Sequence, residues 1–152
     1  MKKNKKLTSP MKMALSLAVK GFSRNEIPVG CVIIDSNNNL ISYAYNMSNE
    51  KNDPTAHAEL LAIRKACKKL KTIKLHGLNL YTTLEPCRMC ESLIIQTGIQ
   101  RVYFGAYSNF LESHDNKIKK YFSNVKKYEY FGGIYEDKCS DLLLTFFRKI
   151  RD

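Results

Sequence analysis

Two short stretches of this chain carry the residue types best suited to chemistry, His57-Ala58-Glu59 and Pro86-Cys87-Arg88-Met89-Cys90. One imidazole and two thiolates fill three positions of a tetrahedral Zn²⁺ and leave the fourth for water. Glu59, two residues after His57, is the kind of non-ligating carboxylate that a metal-activated hydroxide needs for proton transfer. The expected cofactor is one zinc ion per chain. Each stretch alone is unspecific, because a Cys-x-x-Cys pair also serves as a redox couple or half of a structural zinc site. A closed structural site needs a fourth protein ligand, and His76, His114, Cys31, Cys67 and Cys139 are its candidates.

These residues act together only if the chain brings them together, and its periodicity predicts how. Ser9-Pro10 reads as an N-cap and first helical position, with Met11, Leu15, Ala18 and Phe22 on one face of the helix that follows. Val29 to Ile34 is an apolar, β-branched run ended by Asp35-Ser36-Asn37-Asn38-Asn39. Leu40 to Tyr45 returns from that turn, so the two runs predict a hairpin. Asn46 to Pro54 is a polar loop that delivers the chain to His57. A helix over about Ala56 to Leu70 repeats Leu60, Ile63, Cys67 and Leu70 at helical spacing. His57 and Glu59 do not share a face in mid-helix, so this helix is expected to begin just before His57, with the metal over its first turn.

Leu78 to Thr83 is the next strand, and Pro86 opens a helix whose first turn holds Cys87 and Cys90 on one face. The positive end of a helix favours thiolate over thiol, which metal binding requires. Arg101 to Phe104, beyond the Gly98 break, reads as a strand parallel to 78–83. Ser108 to Asn124 is polar and irregular with a short helix near Ile118 to Phe122. Tyr128 to Phe131 is a fifth strand, ended by Gly132-Gly133. Cys139, Leu142, Leu143, Phe146, Phe147 and Ile150 mark a final helix. The fold class is α/β: a three-layer α/β/α sandwich with a mixed five-stranded sheet, one domain over 1–152, and two helix N-termini meeting at the metal.

Composition narrows the setting. Lys plus Arg (25) exceed Asp plus Glu (14) by 11 in 152 residues, and a pI near 9.5 fits a polyanionic partner as well as a Lys-rich composition. Five cysteines, two of them assigned to metal, do not form a disulfide framework, so a reducing cytoplasm is expected. Cys31, Cys67 and Cys139 read as small core residues. The basic start followed by Met13 to Val19 superficially resembles a signal peptide, but an amphipathic first helix with a basic tail fits better. No stretch approaches the roughly 20 apolar residues of a membrane span.

In this order, His-x-Glu followed by Pro-Cys-x-x-Cys is the signature of the zinc nucleobase deaminases. Over Met11 to Arg151 the chain resembles the cytidine deaminase superfamily, and specifically its bacterial tRNA adenosine deaminases. The resemblance rests on Ala14-Leu15-x-Leu17-Ala18, Ile27-Pro28-Val29-Gly30, Asn46, Asp53-Pro54-Thr55-Ala56-His57-Ala58-Glu59 and Thr83-Leu84-Glu85-Pro86-Cys87-x-Met89-Cys90. It continues through Arg101-Val102-x-Phe104-Gly105-Ala106 and Phe146-Phe147-Arg148-x-x-Arg151. A histidine as first ligand is unlike the free-cytidine deaminases, which usually place a cysteine there.

The resemblance implies that His57, Cys87 and Cys90 bind zinc and that Glu59 moves protons in the conversion of the wobble adenosine of a tRNA anticodon loop to inosine. It implies further that Asn46 bonds the target base, that Ile27, Pro28 and Val29 wall its pocket, and that the protein is a homodimer. Strand-edge packing for 27–29 and a backbone-capping role for Asn46 are the plainer readings. Where family members commonly continue Phe-Gly-Ala with Arg-Asp, this chain has Tyr107-Ser108-Asn109-Phe110. Tyr107 and Phe110 offer rings for stacking on bases or for a dimer interface. Tyr107, Ser108, Arg148, Lys149 and Arg151 are the candidate RNA contacts. Two rival readings share the metal site: a deaminase of free bases or nucleosides, of guanine or cytosine type, and a non-enzymatic RNA-binding module held by zinc.

Overall fold

A computed structural model describes residues 4–108 and 128–151. Helix α1 (Pro10–Ser23) is followed by the hairpin β1 (Gly30–Ile34) and β2 (Leu40–Tyr45), then by α2 (Ala58–Leu70), β3 (Asn79–Leu84), α3 (Arg88–Thr97) and β4 (Arg101–Ala106). Strand β5 (Glu129–Phe131) and helix α4 (Glu136–Arg151) complete the described chain. The sheet has five strands in the order β2-β1-β3-β4-β5. Strand β1 is antiparallel to both neighbours, whereas β3, β4 and β5 run parallel. This is the mixed sheet and the strand–helix–strand crossover that the spacing predicts. The short helix expected near Ile118 to Phe122, together with Asn109, Phe110 and His114, lies outside the described residues.

Alternation along β1 distributes the layers. Val32 and Ile34 pack with Met11, Ala14 and Leu17 of α1. Cys31 and Ile33 pack with Ala62 and Ile63 of α2 and Ile94 of α3. Gly30 lets α1 lie directly on the sheet, because a Cβ there would run into the Ala14 carbonyl and come within 2.9 Å of the Leu17 Cβ. Helix α4 joins the α1 side, its Phe146 ring meeting Phe22 edge-on at 5.7 Å. Gly98, at φ +75, closes α3 in the left-handed conformation that glycine adopts without strain.

The helix faces depart from the sequence pattern in instructive ways. Helix α2 buries Ala58, Glu59, Ala62, Ile63 and Ala66, while Leu60 and Cys67 are half-buried and Leu70 is exposed. Small side chains bring the helix close to the sheet, so periodicity read from the large apolar residues points to a face turned aside from the buried one, with Ile63 common to both. The chain enters α2 with His57 as N-cap, slightly later than expected. Lys65 and Lys69 of α2 donate to the Tyr43 and Ile41 carbonyls of β2, at 3.1 and 3.2 Å, covering the open edge of the sheet. In α4, Cys139, Leu143 and Phe146 are buried, Leu142 and Phe147 are partly so, and Ile150 is exposed beyond the last sheet contact.

Candidate active site

His57 and Cys87 occupy equivalent places, each the N-cap of a helix that rises from one end of the sheet. Both backbones are extended there, with φ −71, ψ 152 at His57 and φ −69, ψ 171 at Cys87, and neither side chain caps its own helix. The two side chains therefore turn toward each other. The His57 Nδ1 lies 3.5 Å from the Cys87 Sγ and 3.8 Å from the Cys90 Sγ, and the three donor atoms fall within 4.8 Å of one another. Donors held at about 2.0–2.3 Å from one tetrahedral ion stand roughly 3.3–3.8 Å apart, so this set fits zinc as it stands. No other His, Cys, Asp or Glu among the described residues joins the cluster. The other candidate ligands are turned elsewhere: Cys139 packs toward Gly105, and the His76 ring packs toward Gly98.

Charge prepares the same site. The Cys87 thiol is lowered to about 4, first by the hydrogen bond from Cys90 and then by that from His57. The Cys90 thiol is raised, chiefly because it donates to the Cys87 sulfur and then because it is buried. His57 is raised by its hydrogen bond to Cys87. The lowering at Cys87 favours the thiolate form that metal binding requires, at the α3 N-terminus. Glu59 lies 4% exposed, in the first turn of α2. Its Oε1 accepts from the Thr82 hydroxyl at 3.1 Å, and its Oε2 lies 3.7 Å from the Cys90 sulfur. Burial raises the Glu59 carboxyl above its ordinary value, the direction that suits a group that takes and returns a proton.

A rim stands beside this cluster. Asn46, directly after β2, is buried, and its N–H donates to the Val29 carbonyl at 3.0 Å. The next N–H, of Met47, donates to the Ala56 carbonyl at 3.0 Å, so the chain after Asn46 lies against the residue before His57. The Asn46 Oδ1 accepts from the Ser48 hydroxyl at 2.8 Å, a side-chain partner rather than the backbone cap. Pro28 and Val29 are buried and Ile27 is 37% exposed.

Residues 4–106 match the family described as the cytidine and deoxycytidylate deaminase zinc-binding region. The chain belongs to this deaminase family. A tRNA-specific adenosine deaminase of Haemophilus influenzae is 39% identical over 145 residues, spanning 93% of this chain and 83% of that one. A structure from work on A-to-I editing by tRNA:A34 deaminases superposes with a TM-score of 0.81 at 32% identity, over 90% of this chain and all of that one. A guanine deaminase from Bacillus subtilis superposes less fully, with a TM-score of 0.64 at 37% identity over 73% of each chain. The first two relatives place this deaminase with the tRNA-specific adenosine deaminases, as the resemblance implied.

The other residues singled out from the sequence lie just after β4 and at the end of α4 in this deaminase. Tyr107 is 39% exposed and stands edge-on to Phe104 at 5.0 Å. Ser108 donates its hydroxyl to the Glu85 Oε1 at 2.6 Å, just before the Cys87 turn. Arg148, Lys149 and Arg151 are exposed on the last turns of α4. Lys149 reaches back to the Asn25 Oδ1 at 3.5 Å and stands over the Phe22 ring, which sets this basic end beside the turn leading to Ile27. The sequence gives no sign of a role for Thr82 or Glu26, and Glu85 stands in the motif before Cys87 without one. Each is an ordinary residue in its own segment, and only strand register or chain return shows what it holds. No helix among the described residues is long and apolar enough to cross a membrane.

Proposed function

We propose that this chain hydrolytically deaminates adenosine to inosine at the wobble position of a tRNA anticodon loop. The observation that carries the reading is the buried Glu59 beside the His57, Cys87 and Cys90 donor set, in a chain whose relatives include tRNA-specific adenosine deaminases. His57, Cys87 and Cys90 hold the zinc ion. When bound, zinc supplies the Lewis acidity that activates water at neutral pH.

Water adds to C6 of adenine, the C6–N bond to the exocyclic amine breaks, and ammonia leaves. Glu59 takes the proton of the attacking water at Oε2, the oxygen beside Cys90, and returns protons to the ring and the leaving amine. Thr82 keeps Oε1 engaged, so the carboxyl presents one oxygen to the reaction. Asn46 hydrogen-bonds the base and Ile27, Pro28 and Val29 wall the pocket.

The base must leave its stack to enter such a pocket, and an anticodon loop is already single stranded. Tyr107 offers an exposed ring for base stacking. Ser108, Arg148, Lys149 and Arg151 are the further RNA contacts of this reading, with the three cations meeting phosphates. It also takes the chain as a single-domain, homodimeric protein of the cytoplasm, which its free cysteines suit.

The similarity to a guanine deaminase makes the free-base enzyme the reading to test against. The decisive measurement is inosine formation in a tRNA anticodon stem-loop, run in parallel with ammonia release from guanine, cytosine and cytidine, together with zinc content. Inosine formation with about one zinc per chain is expected. Turnover of a free base with an inert stem-loop would overturn the assignment, and zinc without any turnover would favour the RNA-binding module.

A further inference from the structure

Glu26 is fully buried, yet it lies outside the metal centre and outside every sequence motif. It follows the C-terminal turn of α1, where Asn25 takes a left-handed φ of 60 and the Glu26 N–H returns to the Gly21 carbonyl at 3.0 Å. Its side chain points away from α1 into the turn after Asn46. Glu26 Oε1 accepts from the Glu50 N–H at 2.7 Å and Oε2 from the Asn49 N–H at 3.2 Å. The Asn49 side chain donates in return to the Asn25 carbonyl at 3.1 Å. Arg24 and Glu50 pair at 3.4 Å on the exposed outside of the same junction. Taking a carboxyl group out of water is costly, and both oxygens here spend their bonding on backbone donors 23 and 24 residues away.

What these bonds join is specific. The residues directly after Glu26 are Ile27, Pro28 and Val29, and the Val29 carbonyl accepts the Asn46 N–H. Besides the Met47 N–H bond to Ala56, two ties hold Asn46 and the turn after it against the rim. One is the end of the β1–β2 pairing below it, and the other is the Glu26 carboxyl beyond it. On its far side the turn closes on itself through Lys51 N–H to Met47 O and Asp53 N–H to Ser48 O, each 3.0 Å, and then leads to His57.

We propose that Glu26 is a positioning residue for the substrate base, clamping the turn at 49–50 so that Asn46 is presented from the rim in one orientation. This role rests on the reading of Asn46 as the base contact. Without the clamp the turn keeps its β2 and His57 ends and, at the junction, only the Asn49 side-chain bond to Asn25 and the exposed Arg24–Glu50 pair, and the Asn46 side chain samples orientations that do not meet the base. A misplacement of about 1 Å at a substrate-orienting group costs on the order of a hundredfold in rate. The metal donors stand at the N-termini of α2 and α3, and the hydrogen bonds of the Glu26 carboxyl go to Asn49 and Glu50 rather than to them.

The test is a double-mutant cycle on single-turnover inosine formation in an anticodon stem-loop, using Glu26→Gln, Asn46→Ala and the double variant, with zinc content measured for each. The amide introduced by Glu26→Gln sets an N–H group against one of the two backbone donors and so breaks the clamp with little change in volume. Glu26→Gln is expected to slow the bound step about tenfold to a hundredfold with zinc still near one per chain, and to slow the Asn46→Ala protein hardly further. Effects that multiply independently, or loss of zinc with Glu26→Gln, would overturn the proposal and leave Glu26 a general structural residue. An Asn46→Ala protein as fast as the parent would instead sink the assignment of Asn46 itself. Amide exchange at Asn49 and Glu50 in the unaltered protein gives an answer even if the variant does not fold. Protection is expected at both, and free exchange would refute the clamp.

Discussion

The metal centre and the rim beside it meet at the same end of the sheet but are held in different ways. The centre is assembled from two helix N-termini, with Cys87 and Cys90 within the first turn at α3 and His57 at the N-cap position of α2. Its geometry follows from local spacing and from the packing of those helices on the sheet. The rim is assembled from loops. Its residues are kept in place by a few hydrogen bonds between segments, one from Asn46 to Val29, one from Met47 to Ala56, and two from the 49–50 turn to Glu26. Each region should accordingly fail in its own manner: damage to the centre removes chemistry outright, while damage to the rim degrades orientation and leaves the metal bound.

The sharpest break of that contrast is at the donors. Cys87→Ala and Cys90→Ala should each lose zinc and bring turnover to background, since three protein ligands are few enough for each to be needed. Metal analysis beside the inosine assay checks this, and full activity in a zinc-free variant would end the mechanism. Glu59→Ala comes next. Zinc should stay near one per chain while the rate falls about 10²–10⁴-fold, the usual worth of a positioned proton carrier. If zinc leaves with the carboxylate, Glu59 is a ligand and the division between centre and base is wrong.

A smaller loss is expected at the rim. Asn46→Ala should slow turnover on the order of tenfold to a hundredfold, the worth of a buried hydrogen bond left unmade, with zinc and the unfolding midpoint near those of the parent. A fall in zinc content would show that rim and centre are not separable. The smallest expected effect is at the end of α4. Changing Arg148, Lys149 and Arg151 together to Ala should raise KM for tRNA a few-fold and flatten its salt dependence by up to about one unit of slope per lost phosphate contact, with kcat near its original value. An unchanged KM and slope would make this end a solvated helix terminus, tied to the fold through Lys149 at Asn25 and Phe22.

Short-range regularity governs the part of the molecule that was legible before any fold was known. The five strands and four described helices lie within a few residues of where period and punctuation put them, and the His57, Cys87 and Cys90 set is legible because ligand type and spacing are chemical requirements of the ion. Alternation and turn chemistry are local, so β1, β2 and the Gly98 break needed no partner to be seen.

The remainder came from long-range packing. The buried face of α2 is lined by Ala58, Ala62 and Ala66 because close approach to the sheet matters more there than side-chain size. Thr82 meets Glu59 only because β3 lies in register beside Cys31 of β1. Glu26 reaches the turn beyond Asn46 only because α1 lies across β1 and returns the chain there. A hydrogen bond between residues more than twenty positions apart leaves no periodic trace in either segment. Its existence depends on how the layers stack, and that follows from the packing of the whole core.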